Sequence, residues 1–265
     1  MNVLPLLTRR FRDSARGILG WALGVTGVCL LYLPLFPSMR TSGLLGDKLE
    51  AMPTAMLDSF GMDAATMGTG WGYTHQTVFG MLGLLLLLVL GITHGARAIA
   101  GDEESGALEL TLAHATDRRS VLLARLIGIF AVVVALCALV TIIVAALNGP
   151  SELELSAAGL VGEGAALTLL VLLHALVAFA AGAATGRRSL ALGVATVVAA
   201  LGWFGHTMGA KVQEHLPAAS PFEWAYGASP LSTGPDVGGL LALAAGCLVL
   251  VVIAALTFPR RDLRA

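Results

Sequence analysis

Apolar residues run through the chain in six blocks, with polar and turn-forming residues gathered between them. The blocks fall at about 17–37, 74–94, 121–147, 158–184, 189–209 and 237–258. Each reaches the roughly 20 residues that a helix needs to cross a bilayer. Their ends carry stop and start signals. Ser120 stands as an N-cap behind Arg118 and Arg119, Asn148-Gly149-Pro150 closes the third block, and Gly186-Arg187-Arg188 makes a tight turn between the fourth and fifth. Ahead of the first block, MNVLPLLTRRFRDSARG alternates apolar positions with Arg9, Arg10, Arg12 and Arg16, which predicts an amphipathic interfacial helix after Pro5. The apolar stretch that follows is too long for a signal-peptide core and has no small-residue cleavage site after it. The pattern therefore predicts an all-α polytopic membrane protein, a single transmembrane domain over 1–265 with six membrane helices. Loops 38–73, 148–157 and 210–236 lie on one side, and loop 95–120 lies on the other.

Composition agrees with this class. The chain is 57% hydrophobic and 12% charged, with a mean hydropathy of +0.84, which excludes a soluble domain with a large core. A net charge of -1 and a pI near 6.6 leave no footprint for nucleic acid. Cys29, Cys137 and Cys247 are odd in number, far apart and each inside a block, so they form neither a disulfide framework nor a metal-spaced cluster. Charge also sets the orientation. Thirteen of the sixteen basic residues fall in the termini and in the segments on their side, and only Arg40, Lys48 and Lys211 fall on the other. By the positive-inside rule both ends and loop 95–120 are expected in the cytoplasm, with 38–73, 148–157 and 210–236 outside.

Between the second and third blocks stands Gly101 to Arg119, GDEESGALELTLAHATDRR, the most densely charged stretch outside the termini. Asp102, Glu103 and Glu104 precede Gly106, and Leu108 and Leu112 then lie one turn apart on a short helix expected over about 103–114. Its shape is that of a docking element; the alternative is a solvated loop whose leucines pack on the membrane face.

Several chemistries lack their signatures. Lys48 follows Asp47 and Lys211 follows Ala210, so no P-loop can form, and neither an HExxH pair nor a GxSxG elbow is present. The expectation is a chain that is not an enzyme, with no catalytic residues. Ionisable groups inside the blocks are few, and three stand out: Glu163 near the outer end of the fourth, His174 near its middle and His206 late in the fifth, with Thr141 and Thr168 as further polar groups. Such groups are candidates for a substrate path, because leaving them in lipid costs several kcal/mol, although each also has a structural reading as a side chain bonded to a neighbouring helix. Met39, Met52, Met56, Met62 and Met67 crowd loop 38–73, where Leu49, Met52, Met56 and Phe60 share one side of a short helix. Thioethers can hold Cu(I), but no cysteine accompanies them and His75 is the one imidazole nearby, so an adaptable interfacial helix is the simpler reading and no metal site is assigned.

Glu103-Glu104-Ser105-Gly106-Ala107-Leu108-Glu109-Leu110-Thr111-Leu112-Ala113-His114, with Arg118, resembles the loop signature of bacterial ABC-2-type permeases, the membrane subunits of ATP-driven exporters. Ser220-Pro221-Phe222-Glu223-Trp224-Ala225-Tyr226, followed by Pro230-Leu231 and Gly234, is similar to the family's segment before the last span, and Phe258 with Arg260-Arg261-Asp262-Leu263 to its ending. The departures are Ala107 for threonine, Thr111 for leucine and Ala115 for proline, the last where the docking helix would end. The resemblance implies a permease working as two copies, or with a related permease. Two separate ATPase subunits would hold the ATP and magnesium, and this chain would hold no cofactor. Glu103, Glu104, Gly106, Leu108, Glu109, Leu112 and Arg118 become the expected ATPase-coupling residues. Leu108 and Leu112 would be buried anchors and the acids orienting or capping groups at a helix start. The N-terminal arginines would brace the same junction or bind anionic lipid. Glu163, His174 and His206 would line the path, and Phe222, Trp224 and Tyr226 would cap its outer end. So apolar a path favours a drug-like or lipid-like cargo, moved outward across a prokaryotic plasma membrane. Two other readings stay open: a scaffold or regulator recruiting a cytosolic protein, and a copper-handling membrane protein.

Overall fold

The computed structural model describes residues 4–42, 53, 56–57, 64–106 and 118–260. Among them six helices are long and apolar enough to cross a membrane, Ala15–Thr41, Gly70–Glu104, Arg118–Leu147, Ala157–Thr185, Arg188–Val212 and Val237–Thr257, and there is no strand. The chain is an all-α polytopic membrane protein.

Helix α1 is one element from Leu4 to Tyr32, so the arginine-bearing start and the first membrane helix are continuous. Pro5 is no obstacle, because first-turn amides have no partner within the helix. A 3-10 turn at Leu33–Leu35, set by Pro34, leads into Phe36–Thr41. Gly17, Gly20, Gly24 and Gly27 line α1, and a Cβ added at any of them would meet nothing within 4 Å. Among the described residues, then, no other helix of this chain uses the stripe.

The second helical column is longer than its apolar block. It starts at Gly70–Thr74, where the Thr69 hydroxyl accepts the Gly72 N–H, passes through a π-turn at His75–Phe79 and breaks at Met81. It resumes as α2 (Leu82–Ala96), loosens again into a π-turn at Arg97–Gly101 and ends with Asp102–Glu104. Each π-turn carries one residue more than an α-turn, so the residues beyond it are rotated about the axis.

Helices α3 (Arg118–Leu147), α4 (Ala157–Thr185), α5 (Arg188–Val212), the short α6 (Pro221–Tyr226) and α7 (Val237–Thr257) complete the bundle. Helix α4 is its axis, buried along most of its length, with α2, α3, α5 and α7 packed around it. Gly91 and Gly95 of α2 bring the two backbones together at Val171 and Ala175. Local chemistry fixes the ends. Ser156, Ser220 and Asp236 cap α4, α6 and α7 by accepting first-turn amides. Gly186, at φ 67°, ends α4 in the left-handed conformation that glycine adopts without strain. Alternation along the chain gathers Arg97, Arg118, Arg119, Arg125, Arg187 and Arg188 at one end of the bundle, the arginine-rich end, and α6 at the far end.

Candidate functional site

At the far end a buried polar knot joins three segments. Glu163, in the second turn of α4, is fully buried, and its Oε1 lies 2.6 Å from Nδ1 of His75 in the first π-turn. The His75 ring stands edge-on to Tyr226 of α6, with centroids 4.9 Å apart, and the Tyr226 hydroxyl donates to the Phe79 carbonyl at 3.0 Å. Glu163 Oε2 and the Thr74 hydroxyl are buried without a hydrogen-bond partner among the described residues. A second His–Glu pair, His206 Nδ1 to Glu223 Oε2 at 2.7 Å, ties α5 to α6. Phe222 is buried between His174 and Trp203, with ring centroids at 5.4 and 5.6 Å. The Ser220 hydroxyl donates to the Gly202 carbonyl at 2.7 Å, and the half-buried Trp224 donates its indole N–H to Ala218.

The three path candidates thus converge on α6: Glu163 through His75, His174 by stacking on Phe222, and His206 through Glu223. His174 itself lies in the core of α4, with Nδ1 2.8 Å from the Leu170 carbonyl one turn back. Beside Glu163, on the outside of the bundle, an open groove of about 380 Å³ runs between α3 and α4, lined by Ala138, Thr141, Ile142, Gly164, Ala165, Thr168 and Leu169. The Thr141 and Thr168 hydroxyls donate to carbonyls of their own helices, Cys137 and Gly164, so the groove presents mostly hydrocarbon.

At the arginine-rich end the acids are placed differently from their expected role at the start of a docking helix. Asp102, Glu103 and Glu104 are the last turn of the second column; Gly106, at φ 72°, follows as its left-handed cap, with its N–H on the Glu103 carbonyl at 3.0 Å. The reason is legible in the chain: glycine just past a helical run is a C-terminal signal. Asp102 Oδ2 pairs with Arg125 Nη2 of α3 at 2.6 Å, Glu104 Oε1 accepts the Arg188 N–H of α5 at 2.8 Å, and Glu103 is buried. Arg118 Nη1 donates to the Pro259 carbonyl, just past α7, at 3.4 Å. Leu108, Glu109 and Leu112 lie outside the described residues, as do Leu49, Met52, Phe60 and Met62 of the methionine-rich loop. Of the other methionines, Met67 is buried, and the Met39 sulfur accepts from the Tyr73 hydroxyl at 3.7 Å.

The family model for ABC-2 family transporter proteins matches residues 4–263. The chain belongs to that family. No single curated protein matches it. An ABC-2 permease is the transport component of an ABC transporter and not itself the catalyst, and the family in general works with an ABC ATPase. In this ABC-2 permease, sequence reasoning missed His75 and Glu223 as partners of the path candidates. Glu223 had a usable signal, since it lies three residues before Tyr226 and therefore on the same side of one short helix.

Burial first, and then the nearby Glu163 and Cys137, hold the Tyr226 phenol well above its ordinary range, so it stays a neutral donor to Phe79. A Tyr226→Phe permease should lose about 1–2 kcal/mol of stability in detergent unfolding, because the Phe79 carbonyl is left without its side-chain donor. An unchanged midpoint would mean that this bond does not hold α6.

Proposed function

We propose that this chain is the permease subunit of an ATP-driven exporter of a prokaryotic plasma membrane, with both termini and the arginine-rich end in the cytoplasm. The observation that carries the reading is the anchoring of the described residues on either side of positions 107–117. The residues before these positions are tied to α3 and α5 through Asp102 and Glu104, and Arg118 after them is bonded at the end of α7. Flanking residues tied in this way, on the side that the arginine distribution assigns to the cytoplasm, are suited to pass movement of an ATPase docked between them into the bundle. The hydrocarbon groove between α3 and α4 supports a hydrophobic or amphipathic cargo, drug-like or lipid-like. The unoccupied glycine stripe of α1 supports a second permease copy, or a related permease, as neighbour.

The test is co-purification with an ABC ATPase in detergent, comparing wild type with a Leu108→Asp, Leu112→Asp double variant. The wild type is expected to retain the ATPase and the double variant to lose it while staying monodisperse, since charge in the apolar centre of a contact removes its main contribution. A wild type that retains no ATPase would remove the reading and favour a scaffold recruiting another cytosolic protein. A double variant that binds as well as wild type would remove the leucines as anchors.

A further inference from the structure

The acids before Gly106 pose a problem in helix energetics. They end a helical column, where the dipole disfavours negative charge, so their own helix gives no reason for them. The opposing element does. Helices α4, α6 and α7 each begin with a capping side chain of their own, but α5 begins after Arg187, which makes no side-chain cap. The Arg187 carbonyl takes the first intrahelical bond, from Ala191, which leaves the Arg188 amide among the unpaired first-turn donors. That amide is taken by Glu104, 84 residues earlier in the chain. One residue pair away, Asp102 holds Arg125 in the second turn of α3. These elements are in contact between the two ties: a Cβ added at Gly182 would stand at ordinary van der Waals distance, 3.4 Å from that of Ala100 and 3.7 Å from that of Ala191. The end of the second column is thus lodged between the last turn of α4 and the first turn of α5.

We infer that Glu104 is a positioning residue for coupling, a tie that makes the start of α5 move with the end of the second column, while Asp102 does the same for α3. The inference rests on the coupling role proposed above. Packed junctions of this kind shift between discrete arrangements and do not stretch continuously, so a displacement entering at 107–117 reaches α3 and α5 together. A cap supplied from another helix carries information that a local cap does not.

The experiment uses the full permease bound to its co-purified ABC ATPase, with spin labels on exposed positions, Arg119→Cys at α3 and Ser189→Cys at α5. The distance between each label and a label on the ATPase is read with and without ATP. In wild type both distances are expected to shift. In Glu104→Leu the shift at α5 is expected to be lost and that at α3 kept. In Glu104→Gln both should remain, because an amide oxygen still accepts the Arg188 N–H. The deciding variant is Glu104→Leu with Arg187→Asp, which gives α5 a local cap. If Glu104 ties the two elements, thermal stability returns in the double variant and the α5 shift stays lost. If it is only a cap, stability and shift return together, and the inference is overturned. It is overturned equally if Glu104→Leu alone leaves the α5 shift intact. A wild type that binds no ATPase, or shows no shift at either label, fails at the coupling reading and takes this inference with it; failure of the inference alone appears only in the variants.

Discussion

A Gly95→Val permease is expected to fail to form the native bundle. A Cβ at Gly95 would fall within the space of the Ala175 carbonyl and 3.1 Å from the Ala178 Cβ, so the obstacle is mainly backbone of the central helix and cannot swing aside. The neighbouring site one turn earlier is close but less severe, with a Gly91 Cβ 3.0 Å from Val171 Cγ1 and 3.4 Å from Ala175 Cβ. Together the two glycines form a seam that lets α2 approach α4, and in a bilayer such close approach replaces the hydrophobic driving force that lipid does not supply. Overpacking a core costs about 1–3 kcal/mol and more where the neighbour cannot yield. Valine's branched Cβ adds a rotamer restriction. The measurement is the monodisperse fraction and unfolding temperature in detergent, beside a Gly193→Val control whose added Cβ meets nothing within 4 Å. The control should behave as wild type and Gly95→Val should aggregate or melt far earlier. Equal melting of the two would mean that the α2–α4 seam is not as tight as described.

Glu163→Leu is the second substitution expected to have a large effect. It removes one member of a pair whose carboxylate side chain is fully buried and whose imidazole keeps 24% exposure. Breaking a buried pair from one side costs about 3–5 kcal/mol, because the other group is left without compensation, whereas replacing both by apolar side chains is often close to neutral. The exposure of His75 places the expected cost toward the lower figure. A Glu163→Leu, His75→Phe double variant should recover most of the loss, since phenylalanine keeps the edge contact with Tyr226. The check is a double-mutant cycle on unfolding free energy. A double variant as unstable as the sum of the single changes would show that the two side chains act independently.

Much of this was legible beforehand, and what was not has identifiable causes. The six apolar blocks and the turn signals at Asn148-Gly149-Pro150 and Gly186 are local features, and local chemistry decides where membrane helices end; Ser120, expected as an N-cap, instead lies inside α3, which is already helical at Arg118, and the caps at Ser156 and Asp236 emerge only from the structure. Glu163, His174 and His206 stood out because ionisable groups inside apolar helices are rare; that all three meet α6 is a tertiary fact carried by His75, Phe222 and Glu223. The leucine spacing after the acids suggests one continuous element over 103–114, whereas Asp102–Glu104 close the helix before Gly106, whose left-handed conformation is the stronger local stop signal. The partner of Glu104 could not be read at all, since nothing in a sequence announces that α5 takes its cap from the end of another helix.

The two π-turns flanking α2 bear on how chains of this family can be aligned with one another. A π-turn is an α-helix with one residue inserted, so deleting a single residue from Arg97–Gly101 would restore a regular helix and barely alter the apolar profile. It would also swing everything after it by about 100° around the axis, carrying Asp102 and Glu104 away from Arg125 and Arg188. A hydropathy comparison would score such a chain as the same protein, while the junction at its arginine-rich end would be a different one.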